Sequence, residues 1–512
     1  MRSCTFALIV LVDVLLAGCS GGGSEGPVID NSLARGSLEA NPPNLVPVPQ
    51  PDGSFQPVLA PALFAQELEA GQPGITQVTG VPKCAISTYY MKYGTVGGAG
   101  EATDATGAIM VPSGADPGCS GPRPVLLYAH GTAIDKNFNM AQLDKNPEAS
   151  LLAALYAAQG FIVVAPNYAG YATSQLGYTP YMNAEQSAND MVDALRAARK
   201  AFSTIKAQDS GKLVITGYSQ GGHVAMATQR AMQTTYASEF TVTALAGQSG
   251  PYAMSLLDDI VVGGTPNLGS TIFLPLITTS WQKAYGNLYQ SPSDIYEAQY
   301  ATGIETLLPS ETPGTIFSSG KLPPLALFAA DSQPQAPIIP GSFGPNNLVK
   351  SSFRTLYLVD LQQHPCDNLA NPAATAQAPL NCTPANGFRK AGVKNDLRTY
   401  VPNVPVLLCG GHNDPIVFWN STLATAGFFT ANGVPAAALQ VLDVDSAVTG
   451  PADPYAAAKA GFAQAVSATT QAAVAAGADP AAAVTTAYHG SLVPPFCGAA
   501  ARGFLQSVLA AG

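Results

Sequence analysis

Short apolar runs alternate with longer amphipathic stretches along the middle of the chain. Continuous apolar runs of this kind are typical of strands that are buried on both faces of a sheet. They lie at 124–129, 161–165, 212–216, 241–245 and 404–408. The stretches between them predict helices at 148–158, 184–205 and 221–236. Strands separated by helices of this length pair in parallel through right-handed crossovers, so we predict an α/β fold with a mostly parallel central sheet flanked by helices.

The regions on either side of this pattern carry different signals. Residues 85–96 and 105–112 alternate apolar and polar positions, which predicts a pair of strands joined near Gly97-Gly98. Residues 452–485 are rich in alanine, and Asp453 and Asp479 are each followed by proline. Because Asp is a preferred N-cap and Pro is favoured at the first helical position, we predict two helices there.

Residues 254–403 show no repeated rhythm of strand and helix. The chain returns to a sheet strand afterwards, so we interpret this segment as a cap or lid inserted over one end of the sheet. An independent downstream domain is the alternative. The core then has two parts, at 61–253 and 404–512.

The first sixty residues predict export. An apolar stretch at 5–16 follows Arg2 and is too short to span a bilayer, so residues 1–18 read as a signal peptide. Its end, Leu16-Ala17-Gly18-Cys19, resembles a bacterial lipobox. That resemblance implies that Cys19 is acylated and, since Ser20 follows it, that the protein is anchored at the outer membrane. An ordinary signal peptide that releases a secreted protein is the alternative. Residues 19–60 are rich in glycine and proline and predict a tether.

Composition narrows the functional class. The 23 basic and 33 acidic residues give a formal net charge of −10, and so acidic a chain lacks the positive surface that nucleic-acid phosphates require. A hydrophobic content of 47 % is that of a globular protein, while 50 glycines and 42 prolines predict long loops. No apolar run beyond the first twenty residues is long enough to cross a bilayer, so the N-terminal lipid is the only membrane contact that we expect.

Six cysteines remain once Cys4 leaves with the signal and Cys19 carries lipid. None is spaced as C-x-x-C, which argues against a zinc site and against a redox site. Disulfides are the default in an oxidising compartment, although six thiols allow about 15 pairings. We favour the local set, which pairs Cys84 with Cys119, Cys366 with Cys382, and Cys409 with Cys497.

A serine between two glycines directly follows the third buried run. The segment from Gly217 to Gly221 joins a strand to a helix, and a serine on such a turn is held in a strained conformation that projects its hydroxyl from the sheet. Glycines are needed beside it because side chains there would collide with the neighbouring strand and helix. Gly-x-Ser-x-Gly also arises by chance in glycine-rich chains, but this setting predicts that Ser219 is a nucleophile.

The nucleophile needs a base, and the base needs an orienting carboxylate. His489 follows the last predicted helices and is the expected base. His364 falls in the inserted segment and His412 lies too close in sequence to the best acid. His223, on the helix after the serine, is expected to be a packing residue.

The expected acid is Asp414, which emerges at the carboxyl end of its strand, where active sites of open α/β sheets gather. Asp443 and Asp445 follow the next apolar run and are the alternatives.

A second loop, His130-Gly131-Thr132, follows the first buried run. The loop at this place supplies one backbone N–H to the oxyanion hole of such a fold, and the residue after the nucleophile supplies the other. We assign these amides to Thr132 and Gln220. His130 precedes the serine in the chain, so we expect it to hold the loop.

Taken together, these residues resemble those of an α/β-hydrolase. The tract Tyr178-Thr179-Pro180-Tyr181, the helix with Asp193 and Arg196, and the Gly217–Gly222 segment are similar to the secretory lipase-like branch. The resemblance covers most of 85–253 and 404–511. It implies hydrolysis of carboxylic esters, as by a lipase or carboxylesterase, through an acyl-enzyme intermediate.

Other functions on the same residues stay open. A peptidase or an acyltransferase would use the same serine, histidine and aspartate, and a non-catalytic surface lipoprotein could share the scaffold. The sequence has no metal motif and no dinucleotide fingerprint, so we expect no cofactor. The ester itself and the oligomeric state are left open.

Aromatic residues cluster in the inserted segment, and Trp419 follows the loop of Asp414. We consider Trp281 and Trp419 as a pocket for lipid, aromatic or polymeric esters. The alternative is that Trp281 and the nearby tyrosines form the core of the segment, at Tyr285, Tyr289, Tyr296 and Tyr300.

Overall fold

A computed structural model of the protein describes residues 33–50, 52–332, 339–367, 369, 380 and 382–511. Its centre is a nine-stranded sheet in the order β1-β4-β5-β7-β6-β8-β9-β10-β11, beside a small hairpin of β2 and β3. The strands are β1 (Asn44–Val46), β2 (Val48–Pro49), β3 (Phe55–Gln56), β4 (Ala85–Val96), β5 (Ala102–Ser113), β6 (Arg123–Ala129), β7 (Ile162–Pro166), β8 (Asp209–Tyr218), β9 (Val242–Gln248), β10 (Val406–Gly410) and β11 (Leu439–Asp443).

Six of the nine strands, β6 to β11, run parallel, and β1, β4 and β5 form an antiparallel edge. The predicted runs all fall on strands, and the expected strand pair is β4 with β5, whose ladder extends from Ala85 opposite Ser113 to Val96 opposite Ala102. The inner strands are buried on both faces, because helices cover the sheet from each side. The predicted α/β fold is confirmed.

Two layers of helix enclose the sheet. One face packs against α4, α5 and α12, and the other against α1, α3, α13 and α15. The helices are α1 (Pro61–Gly71), α2 (Ile75–Thr79), α3 (Pro147–Leu155), α4 (Ala184–Ala201), α5 (Gln220–Thr234), α6 (Met254–Gly263), α7 (Ser270–Tyr285), α8 (Ala298–Ala301), α9 (Pro313–Ser318), α10 (Ser351–Gln363), α11 (Gly387–Asn395), α12 (Asn420–Ala431), α13 (Ala456–Ala475), α14 (Pro480–Ala487) and α15 (Val493–Ala511). None of these helices is long and apolar enough to cross a membrane.

Of the two expected helix caps, Asp479 is present and Asp453 is not. Asp479 accepts hydrogen bonds from the backbone N–H groups of Ala481 and Ala482, with Pro480 at the first position of α14. Asp453, by contrast, binds Lys459 at 2.8 Å and accepts from the N–H of Tyr455, so α13 begins only at Ala456. A lysine one turn into the helix competes for the carboxylate that the sequence suggests as a cap.

Residues 254–403 enter between β9 and β10, and their described part adds no strand to the sheet. We call this segment the insertion. It holds α6 to α11 and has an apolar core of its own, in which the largest fully buried side chains include Trp281, Tyr296 and Phe328. Four of its carboxylates surround two buried arginines, Arg389 and Arg398. They are Asp259, Asp360, Asp367 and Asp396.

The expected tether over 19–60 is wrong for its described part, residues 33–60. The strand β1 extends the sheet edge beside β4, and Leu59 is buried. Arg35 reaches the buried carboxylate of Asp193 at 2.8 Å, and the peptide oxygen of Gly36 accepts from Lys200. Glycine and proline content predicts an open chain, but here a specific ion pair and a strand ladder hold it. The signal peptide and Cys19 lie outside the described residues.

The described residues contain three disulfides, and these pair the six cysteines as the sequence analysis favoured. Cys84 bonds Cys119 across 35 residues and Cys366 bonds Cys382 across 16. The third, Cys409 with Cys497, joins β10 to α15 across 88 residues of sequence.

Candidate active site

Ser219 occupies the turn between β8, which ends at Tyr218, and α5, which begins at Gln220. Its backbone has φ 58° and ψ −123°, a conformation that residues other than glycine rarely adopt. The turn is possible because a Cβ at Gly221 would lie 1.9 Å from the carbonyl oxygen of Ala129, and one at Gly217 would lie 2.2 Å from that of Gly221. The backbone of this turn therefore requires glycine at both positions. Ser219 projects above the carboxyl end of the sheet.

His489 lies against this serine. Its Nε2 is 2.8 Å from Ser219 Oγ, although the two residues are 270 positions apart. The histidine sits in a short π-helical turn, Tyr488–Leu492, between α14 and α15. Tyr218, the residue before the serine, donates from its hydroxyl to the carbonyl oxygen of His489 at 2.5 Å and so fixes the turn to the sheet.

Asp414 completes a chain of three side chains. Its Oδ2 lies 2.6 Å from Nδ1 of His489. The other oxygen, Oδ1, accepts from the backbone N–H groups of Ile416 and Val417 at 2.9 and 3.0 Å. Asp414 is 4 % exposed and His489 is 6 % exposed, so the contact is shielded from water. Two backbone donors orient the carboxylate, and the carboxylate in turn orients the imidazole.

The two expected oxyanion donors lie beside the serine. Thr132 and Gln220 line the same cavity as Ser219. Within the described chain, no group accepts a hydrogen bond from the backbone N–H of either residue. Thr132 is held in place by its own hydroxyl, which is 2.8 Å from that of Tyr181. Both amides are therefore available to an oxygen bound at this place.

Glu148 supports the loop of Thr132 and was missed from the sequence. Its Oε1 accepts from the N–H of Gly131 and from the hydroxyl of Tyr128, both at 2.8 Å. The residue lies at the start of α3, whose N-cap is Asn146. Burial raises the pKa of this carboxyl above its usual value. A glutamate at a helix start reads as an ordinary first-turn acid, so the sequence offered no signal of this role.

The remaining histidines lie elsewhere. His130 is fully buried, with ring nitrogens 2.6 Å from the oxygen of Gly131 and 3.1 Å from that of Asn167. His223 reaches the oxygen of Asn395 at 2.8 Å. Burial lowers the pKa of both rings to about 4. As expected from the sequence, His130 holds its loop through hydrogen bonds and His223 packs within the fold.

The alternative acids are engaged with other partners. Asp443 lies 2.8 Å from Nδ1 of His412, on the exposed side of the loop. Asp445 accepts from the hydroxyl of Tyr488 at 2.6 Å. His364 ends α10 within the insertion. None of these four groups contacts Ser219 or His489.

Two cavities meet at Ser219. The first, which we call the apolar cavity, runs into the insertion and is lined mainly by aliphatic and aromatic side chains of α6, α7, α10 and α11. The second, which we call the groove, also contains His489 and Glu148 and passes between α1, α3 and the start of α15. His489 lines the groove and not the apolar cavity.

The expected tryptophan pocket is wrong. Trp281 is fully buried in the core of the insertion, where its indole N–H donates to the oxygen of Met182 and its ring packs 5.2 Å from that of Phe388. Trp419 lies with His412 in a separate surface depression. Tyr296 and Tyr300 are buried in the same core as Trp281. A tryptophan ring can fill an apolar core when its N–H reaches a carbonyl oxygen, as Trp281 does here. Trp281, Tyr296 and Tyr300 therefore pack the core of the insertion and do not line the site.

Solved structures of an esterase are similar to this chain along most of its length. The crystal structure of a ligand-bound form of the rice cell wall degrading esterase LipA from Xanthomonas oryzae has a TM-score of 0.67 at 23 % identity, over 93 % of this chain and 99 % of that one. A second LipA structure gives 0.63 at 25 % identity, over 83 % and 95 %. The model of the secretory lipase family matches residues 139–255. The chain is an α/β-hydrolase of the lipase and esterase class.

The other comparisons add less about this hydrolase. A protein from Legionella pneumophila is similar in fold, with a TM-score of 0.58 at 19 % identity over 78 % of this chain and 91 % of that one. No curated protein matches the hydrolase in sequence. The secretory lipase match and the three disulfides indicate export, since disulfides persist in oxidising compartments.

Proposed function

We propose that this hydrolase cleaves carboxylic esters with Ser219 as nucleophile, His489 as general base and Asp414 as the orienting carboxylate. The observation that carries the proposal is the continuous contact from Asp414 Oδ2 to His489 Nδ1 at 2.6 Å and from His489 Nε2 to Ser219 Oγ at 2.8 Å. A nucleophile in reach of a base that is itself oriented by a third group is the arrangement of a serine hydrolase.

In this mechanism the neutral imidazole donates through Nδ1–H to Asp414 and accepts the Ser219 proton at Nε2. As the hydroxyl oxygen attacks the ester carbonyl, His489 becomes an imidazolium that the neighbouring carboxylate stabilises. The backbone N–H groups of Thr132 and Gln220 then stabilise the negative charge on the carbonyl oxygen. Their lack of any other partner in the described chain supports this role.

The alcohol leaves with the proton that His489 returns, so its oxygen must lie near Nε2. We therefore assign the alcohol part of the ester to the groove, which His489 lines, and the acyl part to the apolar cavity, which it does not. Water later enters by the groove and attacks the acyl-enzyme with the same base. In this scheme the insertion acts as a cap that selects the acyl group.

Active-site labelling tests the proposal. A fluorophosphonate probe should label the wild type and should not label Ser219→Ala. Hydrolysis of a nitrophenyl ester should disappear in the same variant and fall about 10,000-fold in Asp414→Asn, since the wrong imidazole tautomer is then favoured. Asp443→Asn, an alternative acid on the other side of the loop, is the matched control and should retain activity. Labelling or hydrolysis that persists in Ser219→Ala would refute the nucleophile.

We further propose that the enzyme acts outside the cytoplasm, anchored at the outer membrane through an acylated Cys19. Metabolic labelling with a fatty-acid analogue should mark the wild type and leave Cys19→Ser unmarked. Release of an unlabelled wild-type protein into the medium would instead favour the ordinary signal peptide.

A further inference from the structure

The apolar cavity contains one carboxyl group that the proposed mechanism does not use. Asp258 lies on α6 and lines the cavity together with Ser219. It is 6 % exposed, and its Oδ2 is fully buried without a hydrogen-bond partner. Among the described residues, no donor reaches its other oxygen either. A buried polar atom without a partner costs free energy, so the group calls for an explanation.

The position of Asp258 is set by the helix. Met254, Leu257, Asp258 and Val261 all line the cavity, and their spacing places them on one face of α6. Asp258 lies one turn beyond Met254, about 6 Å farther along the axis. It therefore stands on the wall of the cavity that also contains Ser219, among apolar side chains.

The surrounding structure makes room for this carboxyl. A Cβ at Gly392 on the facing helix α11 would lie 2.5 Å from Asp258 Oδ2, so this oxygen packs closely against α11, and Oδ1 is the oxygen left to face the cavity. The three arginines of the insertion are already engaged. Arg389 pairs with Asp259 and Asp360, Arg398 pairs with Asp367 and Asp396, and Arg354 donates to the carbonyl oxygens of Val262 and Ser332. Among the described residues, none of them forms an ion pair with Asp258.

These surroundings favour the neutral form of the carboxyl. Burial, and then the nearby negative charges of Asp259 and Asp396, raise the pKa of Asp258 well above its usual value. A neutral carboxyl both donates and accepts a hydrogen bond. A hydroxyl group has the same two capacities and, being uncharged, enters an apolar cavity at a lower cost than an ammonium group.

We propose that Asp258 recognises a hydroxyl group on the acyl chain, so that the preferred substrates of this hydrolase are esters of hydroxylated, otherwise apolar acids. The inference rests on the proposed function, because it assumes that the acyl chain occupies the apolar cavity. A plain alkyl chain would leave the carboxyl unpartnered against methylene groups, whereas a hydroxyl at the right carbon would pair with it.

The experiment measures kcat/KM for nitrophenyl esters of one medium-chain acid that differ only in a hydroxyl placed at successive carbons. At the best position, the wild type should prefer the hydroxylated ester about 10-fold over the plain one. Asp258→Leu should remove that preference, because it lowers kcat/KM for the hydroxylated ester and raises it for the plain one. Asp331→Leu makes the same change on an exposed side chain and should keep the wild-type ratio.

Three results would overturn the proposal. The first is the same ratio of kcat/KM between hydroxylated and plain esters in the wild type and in Asp258→Leu. The second is no preference for a hydroxyl at any position, and the third is a stronger preference for an amino group at the same carbon. Fluorophosphonate labelling of each variant separates these outcomes from failure of the proposed function. A labelled, ester-hydrolysing enzyme without hydroxyl preference refutes only the role of Asp258, while loss of the Ser219 dependence refutes the function itself.

Discussion

Glu148 offers a test of how the loop of Thr132 is held. The substitution Glu148→Leu removes the acceptor of the Gly131 N–H and of the Tyr128 hydroxyl, each now bonded at 2.8 Å. Loss of one oxyanion donor typically lowers kcat by roughly 100- to 1,000-fold. Here the Thr132 amide is displaced and not deleted, so we expect a decrease of about 10- to 100-fold in kcat with a small change in KM. An unpaired N–H at Gly131 should also cost about 1–3 kcal/mol of unfolding free energy.

The assay is steady-state hydrolysis of a short soluble ester, with stability measured in urea on the same samples. Glu148→Gln is the matched control, since its side-chain oxygen can accept both hydrogen bonds, and it should stay within a few-fold of wild type. A folded Glu148→Leu enzyme with wild-type kcat would refute the reasoning. A rise in KM at constant kcat would refute it too, because that result would place Glu148 in substrate binding.

Four further predictions concern the fold that presents the site. Gly221→Ala should cost more than about 3 kcal/mol in urea unfolding, beyond the usual range, since its Cβ would lie 1.9 Å from a backbone oxygen. Gly503→Ala, with nothing within 4 Å, should instead stabilise α15 by up to about 1 kcal/mol. Unfolded, His223 binds a proton below its usual pKa of 6.5, but in the folded protein it does so only near a pKa of about 4. The contribution of His223 to stability should therefore fall as the pH drops from 6.5 to 4, by about 3 kcal/mol at pH 4. His223→Gln should remove this contribution and leave the similar one of His130, and an unchanged profile would contradict the assignment. Replacing both Cys409 and Cys497 by alanine should lower the unfolding free energy by about 4–5 kcal/mol. This is the chain-entropy value for a loop closed over 88 residues. Equal stability with and without the disulfide would contradict it.

The sheet and the three contacting side chains could be predicted because their signals are local. Buried parallel strands are continuous apolar runs, and the turn at Ser219 needs glycines that only close backbone contacts explain. His489 and Asp414 followed from chain order and from their places after a helix and a strand. The structure brings both to Ser219, 270 positions from the histidine.

The misses come from interactions that join distant segments. The segment at 33–60 contains glycine and proline, but its placement depends on Arg35 meeting Asp193, 158 positions away. From the sequence, Trp281 is compatible with a pocket wall or with a buried core. Its burial depends on the carbonyl oxygen of Met182, 99 positions away, which accepts the indole N–H. Glu148 and Asp258 look like ordinary helix acids until their surroundings are known.

The bond between Cys409 and Cys497 ties together the two segments that bring Asp414 and His489 to Ser219. The aspartate follows one of these cysteines by five residues and the histidine precedes the other by eight. A newly made chain in a reducing cytoplasm would have only packing to hold those segments in register. Because the cytoplasm keeps thiols reduced, the cross-link that fixes these two segments forms in an oxidising compartment.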